Sequence, residues 1–367
     1  MTENSSELKD GMASRPPLPR YGPPYTAETV RSLARCTGAI TALNARISIS
    51  PVTKPWHIRA AWSGYTTALQ LQGVEVDEID VYSWGCGLRV PGRPLIGTTI
   101  DPFDAFAAWQ QVLIEQHGAA WRDPLPTAIG EPSEAREHPL LVRALDLVRQ
   151  YARIDGSSTP WLSAPIILCG LGLSATPLPC LTAGVKAFRL KRTPADTDWA
   201  TAFNALSRAA EAGIDRLDRL EQFHRRGLQT LLDEYRAGAL PRLLALSQLR
   251  PLLSPQSVAE TLGLSVAGAS KVINRAVSAE LLVEITHRKT WRQFLAPDLA
   301  VEFGFAQPKR GRPRIAPPAI PVSKDLARVL DAFDREMDDI DRMLGRIDRV
   351  DRSSDEIAGC SPASAQE

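Results

Sequence analysis

Apolar positions recur with helical spacing along most of the chain. After Thr26, a residue suited to an N-cap, Val30, Leu33, Ile40, Leu43 and Ile47 form a stripe that Pro51 and Pro55 end. A second helix is predicted over 58–71. Residues 74–82 alternate Val74, Val76 and Ile79 with Glu75, Asp77 and Asp80, which suits either a short strand or a loop. A Gly- and Pro-rich stretch over 83–100 reads as loop. Asp101 to His117 has Phe103, Phe106, Trp109, Val112 and Leu113 on one side. Leu140 to Ile154 is helical up to Gly156-Ser157-Ser158, and 161–188 reads as buried helix interrupted near Pro177 and Pro179. Trp199 to Arg236 is a long amphipathic helix with a mixed-charge outer face.

The next segment is the most specific. Leu240 to Leu249 is a helix ended by Pro251. Ser254 caps a second one, with Pro255 in the first helical position, where its missing N–H costs nothing. Gly263 supplies a tight turn after Leu262, and Ser265 caps a third helix running to about Ala279. Ala259 is the small residue a close helix crossing needs. Val258, Leu262, Leu264, Ala269, Val272 and Ile273 supply the inner contacts. This pattern predicts a helix-turn-helix. Leu281 to Thr286 and Trp291 to Leu295 read as strands joined by a turn at 287–290, completing a winged helix.

In such a module the outward side of the last helix enters the major groove of DNA. It carries Ser265, Ala267, Ser270, Lys271, Asn274 and Arg275, while Arg288, Lys289 and Arg292 of the hairpin suit phosphate contacts. Asn suits adenine and Arg suits guanine, and Lys271 and Arg275 equally suit phosphate. Lys309, Arg310, Gly311, Arg312, Pro313 and Arg314 resemble an AT-hook, a basic extended segment for a narrow minor groove. From 241 to 314 there are 11 Lys/Arg against 5 Asp/Glu, although the whole chain is nearly balanced at +1. A local basic excess of this kind predicts salt-sensitive binding to nucleic acid.

Beyond a Pro-rich linker, Leu326, Leu330, Phe333, Met337, Ile340, Leu344 and Ile347 follow one another at spacings of 4, 3, 4, 3, 4 and 3. This heptad seam is either a short coiled coil, the favoured reading, or an amphipathic helix docked on the chain itself. A coiled coil makes the expected partner a second copy. The expected layout is mainly α: a disordered leader over 1–24, a helical domain over 25–237 and a winged helix over 238–300. A basic linker over 301–322, a terminal helix over 323–350 and a disordered tail over 351–367 complete it.

Composition excludes more than it assigns. The polar, Pro-rich start has no apolar core of a signal peptide, and the most apolar run, 164–173, is too short to span a bilayer. Cys36, Cys86, Cys169, Cys180 and Cys360 form no C-x-x-C pair and read as buried free thiols. Together these features predict a soluble, cytoplasmic protein without metal or cofactor. The phosphate loop, G-x-S-x-G and H-E-x-x-H are absent. Gly170-Leu171-Gly172-Leu173 reads as helix packing, and His57, His117, His138, His224 and His287 have no ligand spacing. An enzyme is therefore not expected.

The run Arg250-Pro251-Leu252-Leu253-Ser254-Pro255, with Val258-Ala259 and Leu262-Gly263-Leu264-Ser265, resembles the C-terminal winged helix of many Fic-family proteins. The helix with Ala209, Ala210 and Ala212 resembles the segment before that module. The family's catalytic His-Pro loop is not matched, because His138-Pro139 continues as Leu140-Leu141-Val142-Arg143. Over about 57–300 the chain is similar to rhizobial, plasmid-type proteins that pair a domain of unknown function with a C-terminal helix-turn-helix. Residues 161–166, Leu178-Pro179-Cys180-Leu181, Ala183-Gly184 and Lys186-Ala187 carry that resemblance. It implies DNA binding. The resulting expectation is a DNA-binding transcriptional regulator. The alternative is a degenerate Fic-like protein or an unrecognised enzyme whose winged helix serves assembly.

Overall fold

The structure is a computed structural model that describes residues 22–93, 103–115, 119–182, 194–234, 236–288 and 290–307. The AT-hook-like residues, the heptad helix and the tail lie outside the described residues, as does Lys289. Eleven α-helices and three very short strands make the described chain mainly helical. None of these helices is long and apolar enough to cross a membrane.

Helix α1 (Ala27–Ile49) begins where Thr26 accepts a hydrogen bond from the N–H of Thr29. It ends at Ser50, whose extended backbone is what a following proline imposes. Its inner face is Thr29, Ser32, Cys36, Ile40, Leu43 and Ile47. The predicted stripe is corrected at its start, since Val30 is 47% exposed and Cys36 takes its place inside. Helix α2 (Thr53–Leu71) carries Trp56, Trp62 and Tyr65 into the core.

The undecided stretch 74–82 is neither strand nor simply loop, because α3 (Glu78–Gly85) starts within it. Its acidic residues sit where a helix N-terminus favours them: Asp80 accepts from the N–H of Asp77, and Arg93 binds Asp80. Helix α4 (Phe106–Glu115) starts later than the spacing predicts. It is followed by α5 (Leu140–Ile154) and α6 (Thr159–Gly170). The helix expected from Trp161, with its interruption near Pro177 and Pro179, stops earlier, at Gly170, and among the described residues a short 3-10 turn, Pro179–Thr182, follows. Gly170 is required by packing, since a Cβ there would lie 2.2 Å from Cγ of Trp121. Gly64 of α2 likewise faces the 3-10 turn, with a Cβ 2.2 Å from the carbonyl oxygen of Pro179.

Helix α7 (Asp196–Asp233) has 38 residues and therefore runs ~57 Å at 1.5 Å per residue. Its first two-thirds pack on α1. Gly213 lets Leu43 approach closely, and Arg35–Glu211 and Arg46–Asp218 pairs line the seam. Its last third, through Phe223 and Leu231, enters a second core with α8 (Leu240–Leu249), α9 (Pro255–Leu262) and α10 (Val266–Ser278). The helical region and the following module thus share α7, and the described residues form one compact unit.

Between the two cores stands a three-stranded antiparallel sheet in the order β1 (Leu252–Leu253), β3 (Phe294–Leu295), β2 (Val283–Glu284). Leu252 pairs with Leu295, and Leu253 with Phe294. Successive side chains of a strand point to opposite faces. Accordingly Leu252 and Leu295 enter the large first core, and Leu253 and Phe294 enter the second. The predicted strands are shortened: Leu281 and Leu282 are both buried in the second core, and Trp291 has φ +60°, so neither stretch is extended throughout. Strand β1 follows directly on Pro251, and its two residues are too few to show a strand pattern in the sequence. Helix α11 (Pro297–Glu302) closes the described chain against the first core through Leu299 and Ala300.

Candidate nucleic-acid interface

Helices α9 and α10 are fixed by short-range chemistry. Ser254 and Ser257 cap each other reciprocally: the Ser257 N–H donates to Ser254 Oγ at 3.0 Å, and the Ser254 N–H donates to Ser257 Oγ at 2.9 Å. Such a cap contributes about 1 kcal/mol. Gly263 ends α9 at φ +66°, with its N–H donating to the carbonyl of Ala259. A Cβ there would meet nothing within 4 Å, so the backbone angle, not space, demands glycine. Ser265 then caps α10 by accepting from the N–H of Gly268 at 3.1 Å. Val258, Ala259 and Leu262 of α9 bury against Ala269, Ile273 and Ala276 of α10.

That packing leaves Ser265, Ala267, Lys271 and Asn274 exposed on α10, with Ser270 half-buried. Lys271 has no ion-pair partner among the described residues. Arg275 is arranged otherwise. Its Nη2 donates to Glu234 at 2.7 Å and to the carbonyl of Arg236 at 2.9 Å. It therefore ties α10 to the connection between α7 and α8, and its half-exposed guanidinium is engaged by these partners. Glu234, Lys271, Asn274, Arg275, Ser278 and Ala279 line an open depression of about 630 Å³.

The hairpin is held to α10 by Arg292. One nitrogen donates to Glu284 at 2.6 Å and another to Asn274 Oδ1 at 3.2 Å, while the guanidinium lies over the Phe294 ring. The Glu284 hydrogen bond raises the Arg292 pKa still further, so the charge is permanent. Asn274 consequently presents its amide N–H groups, with its oxygen engaged on the hairpin side. Arg288 is exposed and has no ion-pair partner among the described residues, and His287 is exposed at φ +48°. Lys309, Arg310, Arg312 and Arg314 fall outside the described residues. The sequence reading missed Glu234 and Glu284, the two carboxylates that engage its arginines. Hairpin register pointed to Glu284, since β2 pairs Glu284 with Phe294, two residues from Arg292. No local signal pointed to Glu234, which is 41 positions from Arg275.

The opposite side of the sheet holds buried charge. Arg59 is 0% exposed and donates to Asp298 at 2.7 Å, tying α2 to α11. Arg59 Nε and Nη2 and Asp298 Oδ1 have no hydrogen-bond partner among the described residues. Arg216 of α7 pairs with Glu78 and Glu302, and burial raises the Glu78 pKa. These pairs bind the end of the chain's described part to the helical region. Burial pushes the Cys36 thiol up to about 12 and that of Cys86 to about 11, which keeps both protonated and unreactive. His138, just before α5, stacks on Tyr25 and shares a hydrogen bond with its hydroxyl at 2.6 Å. Among the described residues no cluster of His, Cys, Asp or Glu is arranged to hold a metal ion.

No protein-family model matches the chain. No curated protein matches it either.

Proposed function

We propose that this chain is a duplex-DNA-binding transcriptional regulator. In this reading α9, the Gly263 turn and α10 are a helix-turn-helix, and the β1–β3–β2 sheet with its hairpin is the wing. The observation that carries it is the asymmetry of α10. Its inner face is buried in the second core, while its outer face shows Ser265, Ala267, Lys271 and Asn274 without a carboxylate. Such a face suits hydrogen bonding to base edges more than packing against a protein. Lys271 and Arg288 supply phosphate contacts, and Arg275 and Arg292 hold the geometry. The basic segment 309–314 adds a minor-groove contact, and the 323–350 helix pairs two copies on two-fold related half-sites.

Selection of bound duplexes from random-sequence DNA, followed by mobility shift with the full chain, tests the reading. Saturable, salt-sensitive binding is expected, and Lys271→Ala should weaken it and lower the salt slope by about 1. Absence of saturable binding to any duplex overturns it. Sedimentation of the chain lacking 323–350 should show half the mass of the full chain; an unchanged mass removes the dimer.

A further inference from the structure

Trp291 has no account in the fold. It is 86% exposed, the most exposed large apolar side chain among the described residues. It stands at φ +60°, and His287 at φ +48° brackets the same turn. A bulky residue rarely adopts the left-handed region, so both the ring's exposure and its backbone work against the free protein. Its ring makes no aromatic contact among the described residues. The neighbouring side chains set its surroundings. Arg288 is exposed on the same turn, and Arg292, the next residue, reaches Asn274 of α10. The exposed ring thus belongs to a turn that bears the exposed Arg288 and whose base is joined to the outer face of α10 through Arg292.

Resting on the duplex-binding reading above, we propose that Trp291 is an apolar contact to the minor groove flanking the major-groove segment met by α10. There its ring packs on the deoxyribose walls. The charge around the turn fits a polyanion, and the planar apolar ring fits the sugar-lined groove between phosphate ridges. Apolar side chains used in that groove act as wedges or wall contacts and add affinity without counterion release. The contact differs in kind from the phosphate contacts assigned to Arg288 and Lys271, because salt does not weaken it.

The test uses the full chain, the duplex enriched by the selection above, and heparin as a polyanion without grooves. Trp291→Ala should bind the duplex about tenfold more weakly, equivalent to about 1.4 kcal/mol, with an unchanged salt slope and unchanged heparin binding. Trp291→Phe should restore most of the affinity. Hydroxyl-radical cleavage, which reports deoxyribose exposure, should show one minor-groove stretch protected by the wild type and open with Trp291→Ala. Equal affinity and an equal footprint for Trp291→Ala overturn the proposal while leaving duplex binding standing. Parallel losses on duplex and heparin overturn it as well. Failure of the wild type to bind any duplex removes the functional reading first, and this contact with it.

Discussion

Ion pairs flank the three-stranded sheet on both sides, but in different states. Toward the helical region, Arg59 and Asp298 are 0% and 7% exposed. Toward α10, Arg275 and Glu234 are 36% and 34% exposed. The chemistry is the same and the consequence is opposite. A buried pair cannot trade partners, because removing one member strands a desolvated charge. A half-exposed pair is worth little to stability, so either member can be released at small cost. The first arrangement fixes α11 and the sheet on α2. The second holds Arg275 of α10 on Glu234 at the end of α7 while leaving both side chains open to solvent.

The comparison breaks most visibly at Arg59. Arg59→Ala should cost about 3–5 kcal/mol in urea unfolding. Replacing both members, as Arg59→Met with Asp298→Leu, should cost much less. A single substitution no worse than the double would show that the buried pair behaves like a surface one. Next in size is Glu234→Gln. Its stability change should stay within about 1 kcal/mol. Duplex affinity should rise several-fold at low salt, with a steeper salt slope, as Arg275 is released. Unchanged affinity and slope would mean that Arg275 is a strut with no second partner. Glu284→Gln should act in the same direction on Arg292, but loosen the hairpin from α10 at the same time, so its gain in affinity should be smaller.

The smallest effect is a pH dependence. Glu131 has its pKa lowered, first by the hydrogen bond from Arg143 and further by Arg122. A carboxylate depressed in the folded state binds fewer protons there than in the unfolded chain. Its contribution is therefore present above its unfolded pKa, about 4.3, and is lost as pH falls through the lower folded value. Glu78 has the opposite sign, since burial raises its folded pKa, and its contribution is lost as pH rises through that region. Glu131→Gln should flatten the acid limb of stability measured by denaturant midpoints from pH 5 to 3. An unaltered limb would show that this pair is too solvated to matter.

Capping and turn chemistry were the part of the fold most legible in the residues. Ser254, Pro255, Gly263 and Ser265 each act within four positions of the group they satisfy, so α9 and α10 follow from the local order of side chains. The long α7 was legible for the same reason, from its repeating apolar positions. The start of α1 was misjudged because Val30 is apolar yet lies off the face that Thr29, Ser32 and Cys36 continue. Hydrophobicity alone does not say which of two adjacent stripes meets a neighbour. Residues 74–82 were ambiguous because Asp77 and Asp80 serve equally as polar alternation and as a helix start.

Of the candidate interface, the residue types were legible and their engagement was not. The sequence by itself determined that α10 has an apolar face and a face bearing Lys271 and Asn274, since periodicity is a property of neighbours along the chain. Only the tertiary structure decided that Arg275 is held by Glu234 and Arg292 by Glu284. It alone decided, too, that Leu252 and Leu253 face two different cores. Those outcomes join residues 8 to 43 positions apart through strand register and helix docking. Partners 41 or more positions apart are chosen by which surfaces pack, and no local pattern encodes that choice; only the Arg292–Glu284 pair falls within the reach of hairpin register.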